Sequence, residues 1–78
     1  MTATEWNGSD AMPTLTTNVK EYREAARMTQ SELAAKVGVR RETILHLESG
    51  RYNPSLKLAM DIAKVFDTTV EALFSFDD

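Results

Sequence analysis

Up to Thr17 the apolar residues Trp6, Met12 and Leu15 stand singly among Thr, Ser, Gly and Pro, with no sustained period of 3.6 or 2. Residues 1–17 are therefore predicted to form a flexible N-terminal tail. From Asn18 onward the spacing turns helical. Val19, Tyr22, Arg23 and Ala26 share one face of a first helix, and Leu33, Ala34 and Val37 one face of a second. A third helix is expected from about Arg40 to Ser49 with Ile44 and Leu47 inward, and a fourth from Ser55 to about Phe66 with Ala59, Ile62, Ala63 and Phe66 inward. A short fifth helix covers Val70 to Phe74, and no strand period competes anywhere. The expectation is a compact all-α domain over residues 18–78, five short helices with brief connections and no internal repeat.

Polar residues punctuate this pattern by a common mechanism. At three predicted helix starts a short N-cap side chain can bond a free amide while an acid three residues on bonds back: Asn18 with Glu21, Thr29 with Glu32, and Thr68 with Glu71. Gly38 can take the left-handed backbone that closes a helix and lets the next one leave at a steep angle. Gly50 ends the third helix, Tyr52-Asn53-Pro54 makes a turn, and Ser55 caps the fourth.

Length and composition narrow the class. With 78 residues, 42% hydrophobic and 27% charged, the chain fits one small globule and leaves no room for an enzyme with a separate regulatory or small-molecule ligand domain. It has no cysteine, which removes disulfides and Cys-based zinc sites and makes the cytoplasm the expected compartment. No apolar run approaches the roughly 18 residues of a membrane span, and residues 1–17 lack the Lys or Arg that opens a secretory signal, so neither a membrane nor an export role is expected.

The overall charge of -3 speaks against a nucleic-acid partner until it is counted by region. Between Lys36 and Lys57, Lys36, Arg40, Arg41, Arg51 and Lys57 face only Glu42 and Glu48, for a local charge of +3. Glu5, Asp10, Asp77 and Asp78 place negative charge at the ends. An anionic partner belongs in the middle. A DNA-wrapping role for the tail is disfavoured, because minor-groove arms work through Arg or Lys and residues 1–17 carry only acids.

The segment Thr29 to Glu48 has the layout of a helix-turn-helix: a capped helix, the small Ala34, a glycine in the turn, then a helix with inward Ile44 and Leu47. Fixing that inward face puts Arg41, Glu42, Leu45 and His46 together on the outer one. Arg41 can donate two hydrogen bonds to guanine and Glu42 can accept from cytosine. His46 can donate or accept, and Leu45 can lie against a thymine methyl. Gln30, Arg40, Thr43 and Arg51 suit phosphate contacts, which fix register without reading sequence. Arg40 is a poor residue for a helix start, since it lacks a capping oxygen and its charge opposes the macrodipole; a nearby phosphate removes the conflict.

From Asn18 to Phe76 the chain resembles the Cro/repressor-type (XRE-like) helix-turn-helix regulators, in particular their short single-domain members. The resemblance rests on Tyr22-Arg23-Glu24, Thr29-Gln30-Ser31-Glu32-Leu33-Ala34, Gly38-Val39, Thr43-Ile44, Leu47 to Ser55, and Glu71-Ala72-Leu73-Phe74. It implies a lambda-repressor-like five-helix domain whose third helix enters the major groove of double-stranded DNA. Gln30 would lie at a phosphate, and Arg41, Glu42 and His46 where they contact bases. It further implies a partly buried ion pair between Arg23 and Glu48, and a homodimer acting as a transcriptional regulator, expected to be a repressor on a palindromic operator. The sequence departs from that pattern at Arg40, where Ser or Thr is common.

Other chemistries find little support. His46 is the only histidine and has no cysteine to join it, so neither a metal site nor a cofactor is expected. None of Ser31, Ser49, Ser55 and Ser75 has a base and an orienting acid in a recognisable arrangement, and no glycine-rich phosphate loop exists; the chain is not expected to be an enzyme. The rival expectation is a protein-binding module of the same fold, antitoxin-like or adaptor, using the apolar residues near the C-terminus.

Overall fold

A computed structural model describes residues 14–77. The elements run β1 (Thr14–Thr17), α1 (Val19–Ala25), α2 (Gln30–Val37), α3 (Arg41–Glu48), α4 (Leu56–Val65), α5 (Val70–Leu73) and β2 (Phe74–Asp77). Five helices enclose one core in which Val19, Leu33, Ile44, Leu47, Ile62 and Leu73 are fully buried. Each helix contributes to that set, so none is stable on its own face alone. Tyr22 and Phe66 close one side, their ring centroids 5.9 Å apart.

The five expected helices are accompanied by one short pair of strands that the hydrophobic pattern did not show. Thr14–Thr17, assigned above to the tail, pairs antiparallel with Phe74–Asp77, Leu15 opposite Phe76 and Thr17 opposite Phe74. Residues opposite one another in an antiparallel pair share a face. Leu15 is buried at that face and Phe74 packs against the core, while Thr16 and Ser75 stand in water on the other. The remaining tail, residues 1–13, lies outside the described residues.

Two helix starts carry the expected caps and two depart from them. Thr29 and Glu32 form the reciprocal capping box, and Ser55 Oγ accepts from the Leu58 amide at 3.1 Å. Asn18 does not cap α1: its Nδ2 donates to the Ala72 carbonyl at 3.0 Å and its backbone amide to that of Leu73 at 2.8 Å, fastening α1 to α5. The fifth helix is capped one residue later than expected, by Thr69, which accepts from the Ala72 amide, while the Thr68 hydroxyl lies 3.4 Å from that of Tyr22.

The helix-turn-helix turn is made by Gly38 at φ 74°, whose amide bonds the Ala34 carbonyl. Gly50, at φ 79°, is required twice over: a Cβ there would also sit 2.9 Å from the Leu15 carbonyl oxygen. That close approach brings β1 against the end of α3. Arg27 and Asp67 hold the left-handed conformation without glycine, at φ 57° and 53°, just after α1 and α4. None of the described helices is long and apolar enough to cross a membrane.

Candidate nucleic-acid interface

The two helices of the motif are held by their small and apolar faces. Leu33 and Ala34 of α2 and Ile44 and Leu47 of α3 are buried, and Ala34 leaves room for the helices to approach. With those residues inward, Arg41, Glu42, Leu45 and His46 emerge on the exposed face of α3, as the helical period requires. Thr43 is half-buried at the helix flank. Arg40 precedes the helix, exposed, at extended N-cap dihedrals with no capping bond from its side chain. Arg51 is exposed just beyond the other end, where its amide bonds the His46 carbonyl at 3.0 Å. Basic side chains therefore flank both ends of a face that mixes donors, an acceptor and an apolar group.

Behind this face lies a chain of polar contacts. Arg23 Nε donates to Glu48 Oε2 at 2.6 Å and Nη2 to Oε1 at 3.2 Å, while Nη1 donates to the Met28 carbonyl at 2.8 Å. The two side chains are only 11% and 5% exposed. The bidentate bond to Glu48 raises the Arg23 pKa further above its ordinary value against the opposing effect of burial. The pair links α1 to the last residue of α3 and so fixes how α3 projects.

Gln30 extends the chain outward. Its Nε2 donates to Glu48 Oε1 at 3.1 Å, and its Oε1 accepts from Arg41 Nη1 at 3.1 Å. The side chain expected to meet phosphate thus joins the buried acid to the first residue of the outer face. Sequence reasoning missed this connection, because residues 30, 41 and 48 meet only when α2 and α3 cross. It also missed Lys20 of α1, which borders with Leu45 and Ser49 a cleft of about 370 Å³ beside α3. The one available signal was the placement of Lys20 one residue after inward Val19.

Comparison with known proteins agrees with this geometry. A helix-turn-helix family model matches residues 19–73. An uncharacterized HTH-type transcriptional regulator of Archaeoglobus fulgidus is 61% identical over 62 residues, covering 80% of this chain and 89% of its own. Among solved structures, the N-terminal DNA binding domain of SinR from Bacillus subtilis superposes with a TM-score of 0.65 at 30% identity, over 70% of this chain and 81% of that one. Hydroxypropylphosphonic acid epoxidase from S. wedmorenis superposes with a TM-score of 0.68 at 29% identity over 78% of this chain, but only 35% of the epoxidase is covered, so the likeness is to a part of that enzyme. With its motif, its exposed third helix and relatives matched over most of their length, the chain belongs to the Cro/repressor-type (XRE-like) helix-turn-helix family.

Proposed function

We propose that the protein is a sequence-specific DNA-binding transcriptional regulator, a repressor that binds a palindromic operator as a homodimer and lays one α3 in each of two major grooves about 34 Å apart. The observation that carries this reading is the outward face of α3, where Arg41, Glu42, Leu45 and His46 are all exposed between Arg40 and Arg51. Arg41, Glu42, Leu45 and His46 read base edges; Gln30, Arg40, Thr43 and Arg51 hold phosphates. Gln30, already bonded to Arg41, couples the two kinds of contact. Repression follows from occlusion of a promoter.

Selection of bound sequences from a random duplex pool, followed by anisotropy titration on the selected site, tests this reading. A dimer that neutralises about six to eight phosphates gives a slope of log affinity against log salt of roughly -5 to -7. Arg41→Ala relaxes the choice at one base pair by about 1 to 3 kcal/mol, whereas Arg51→Ala weakens all duplexes alike. No enrichment of any sequence, together with affinity indifferent to salt, would count against a DNA role and in favour of a protein-binding module.

A further inference from the structure

Arg40, Arg41 and Arg51 stand exposed on and beside α3 against the single exposed acid Glu42. Neither ion pair among the described residues, Arg23 with Glu48 or Lys57 with Asp61, uses any of these four groups. Two apolar groups lie on the same stretch of chain, Leu45 and Tyr52, each 40% exposed. The chain enters the domain beside one end of this face. The Leu15 carbonyl oxygen comes so close to Gly50, the residue before Arg51, that a Cβ there would sit 2.9 Å from it. Residues 1–13, which precede this point, carry Glu5 and Asp10, no Lys or Arg, and the only tryptophan of the chain, Trp6.

We propose that residues 1–13 are a tethered competitor for the DNA-reading face of α3. The Glu5 and Asp10 carboxylates take the place of DNA phosphates at Arg40, Arg41 and Arg51, and Trp6 lies over a guanidinium beside Leu45 or Tyr52. The proposal rests on the functional reading above and adds a regulation of that same site.

The chemistry matches group by group. Carboxylate and phosphate are both oxygen anions that the planar fork of arginine binds through two hydrogen bonds. The face of an indole attracts a guanidinium, and its apolar body suits an exposed leucine. Three cations against one acid on the α3 face leave two positive charges, and Glu5 with Asp10 supplies two negative ones. Reach is sufficient. The eight residue steps from Thr14 to Trp6 extend to about 27 Å, whereas the eight residues of α3 rise only about 12 Å. A segment attached so near acts at an effective concentration on the order of millimolar, so weak contacts are enough. The other recess near Thr14, the apolar groove of about 260 Å³ that Leu15 lines with Leu56 and Phe76, has no charged residue to receive the two carboxylates.

Acrylamide quenching of Trp6 in the full chain without DNA, and anisotropy titration with duplexes, test the proposal on three proteins: the wild type, Glu5→Gln with Asp10→Asn, and Arg51→Gln. Both acids precede the described residues and Arg51 is exposed, so the variants keep the core intact. Quenching is compared at about 0.1 M salt, where charges are screened over about 10 Å, and at about 1 M, where they are screened over about 3 Å. Wild-type Trp6 is shielded at low salt and released at high salt, and in both variants it is accessible already at low salt. At low salt the acid-free variant binds selected and random duplexes alike about three- to tenfold tighter than the wild type, a gain that shrinks as salt rises. Equal accessibility of Trp6 in all three proteins overturns the proposal, as does an unchanged duplex affinity in the acid-free variant. Shielding that high salt leaves intact puts Trp6 in an apolar groove, and the proposal falls. If Trp6 is shielded as expected but no duplex is bound, the contact within the chain stands and the DNA reading is removed. Selective duplex binding with Trp6 accessible throughout keeps that reading and removes the competitor.

Discussion

Helix α2 begins with a reciprocal bond pair, Thr29 Oγ1 accepting from the Glu32 amide at 3.0 Å and Glu32 Oε1 from the Thr29 amide at 2.7 Å, whereas α3 begins at Arg40 with no capping side chain at all. Both N-cap residues have the same extended backbone, so the difference lies in side-chain chemistry alone. At α2 two free amides find partners within the chain, and the acid also suits the positive end of the helix. At α3 the first-turn amides lack a side-chain oxygen, and the guanidinium groups of Arg40 and Arg41 stand at the same positive end. One helix start is completed within the chain; the other has no side-chain cap, and under the proposed function a DNA phosphate supplies the missing acceptor. The contrast separates residues that hold α3 in place from residues that α3 presents.

The strongest way to break that separation is at the holding side. Arg23→Ala leaves the Glu48 carboxylate, 5% exposed, with only Gln30 as its hydrogen-bond partner. Loss of one member of such a pair costs about 3 kcal/mol, read as a shift of the urea midpoint. Replacing both residues, as Arg23→Met with Glu48→Leu, costs much less, because no charge is left stranded. A single substitution as mild as the double one would mean that water already reaches the pair.

A smaller effect of opposite sign is expected at the presenting side. Arg40→Ser supplies the missing capping oxygen and removes an unfavourable charge, raising stability by about 1 kcal/mol. The same change is expected to weaken binding to selected and random duplexes by a similar factor, since the contact proposed for Arg40 is to phosphate. Stability and affinity moving in the same direction in paired melting and anisotropy measurements would dissolve the contrast between the two helix starts.

These two helices also show what a single chain of letters reveals. The outer face of α3 was legible because its position depends only on the helical period and on Ile44 and Leu47 being inward, both local properties. The capping box at Thr29 and Glu32 is local as well. Asn18 carried the same signal, yet its side chain bonds a carbonyl 54 residues away, and a distant partner outweighed the near one. The strands escaped for a related reason. Thr-Leu-Thr-Thr and Phe-Ser-Phe-Asp are each four residues long, too short for alternation to stand out, and they pair across nearly the whole domain. The left-handed turns at Arg27 and Asp67 contain no glycine to announce them. In the candidate interface, the exposure of Arg41, Glu42, Leu45 and His46 was readable but the Glu48–Gln30–Arg41 connection was not, because it exists only once α2 and α3 have packed.

The gentlest probe of the contrast is pH. Bonds from the Thr29 amide, and then its hydroxyl, hold the Glu32 carboxyl below its ordinary value. Because the folded value lies below the unfolded one, near 4.3 for a glutamate, Glu32 contributes stability that is complete above that range and disappears as pH falls through the folded value. Glu32 is fully exposed, so solvent screens the contribution and the change is small. Glu32→Gln retains an oxygen for the Thr29 amide but cannot titrate. Melting temperatures of the variant should therefore decline less than those of the wild type between about pH 5 and pH 3, with the two proteins closer together at the acid end. Parallel declines would show that the ionised carboxylate adds nothing to this helix start beyond its hydrogen-bonding oxygen, and the contrast between α2 and α3 would then rest on capping geometry without a contribution from charge.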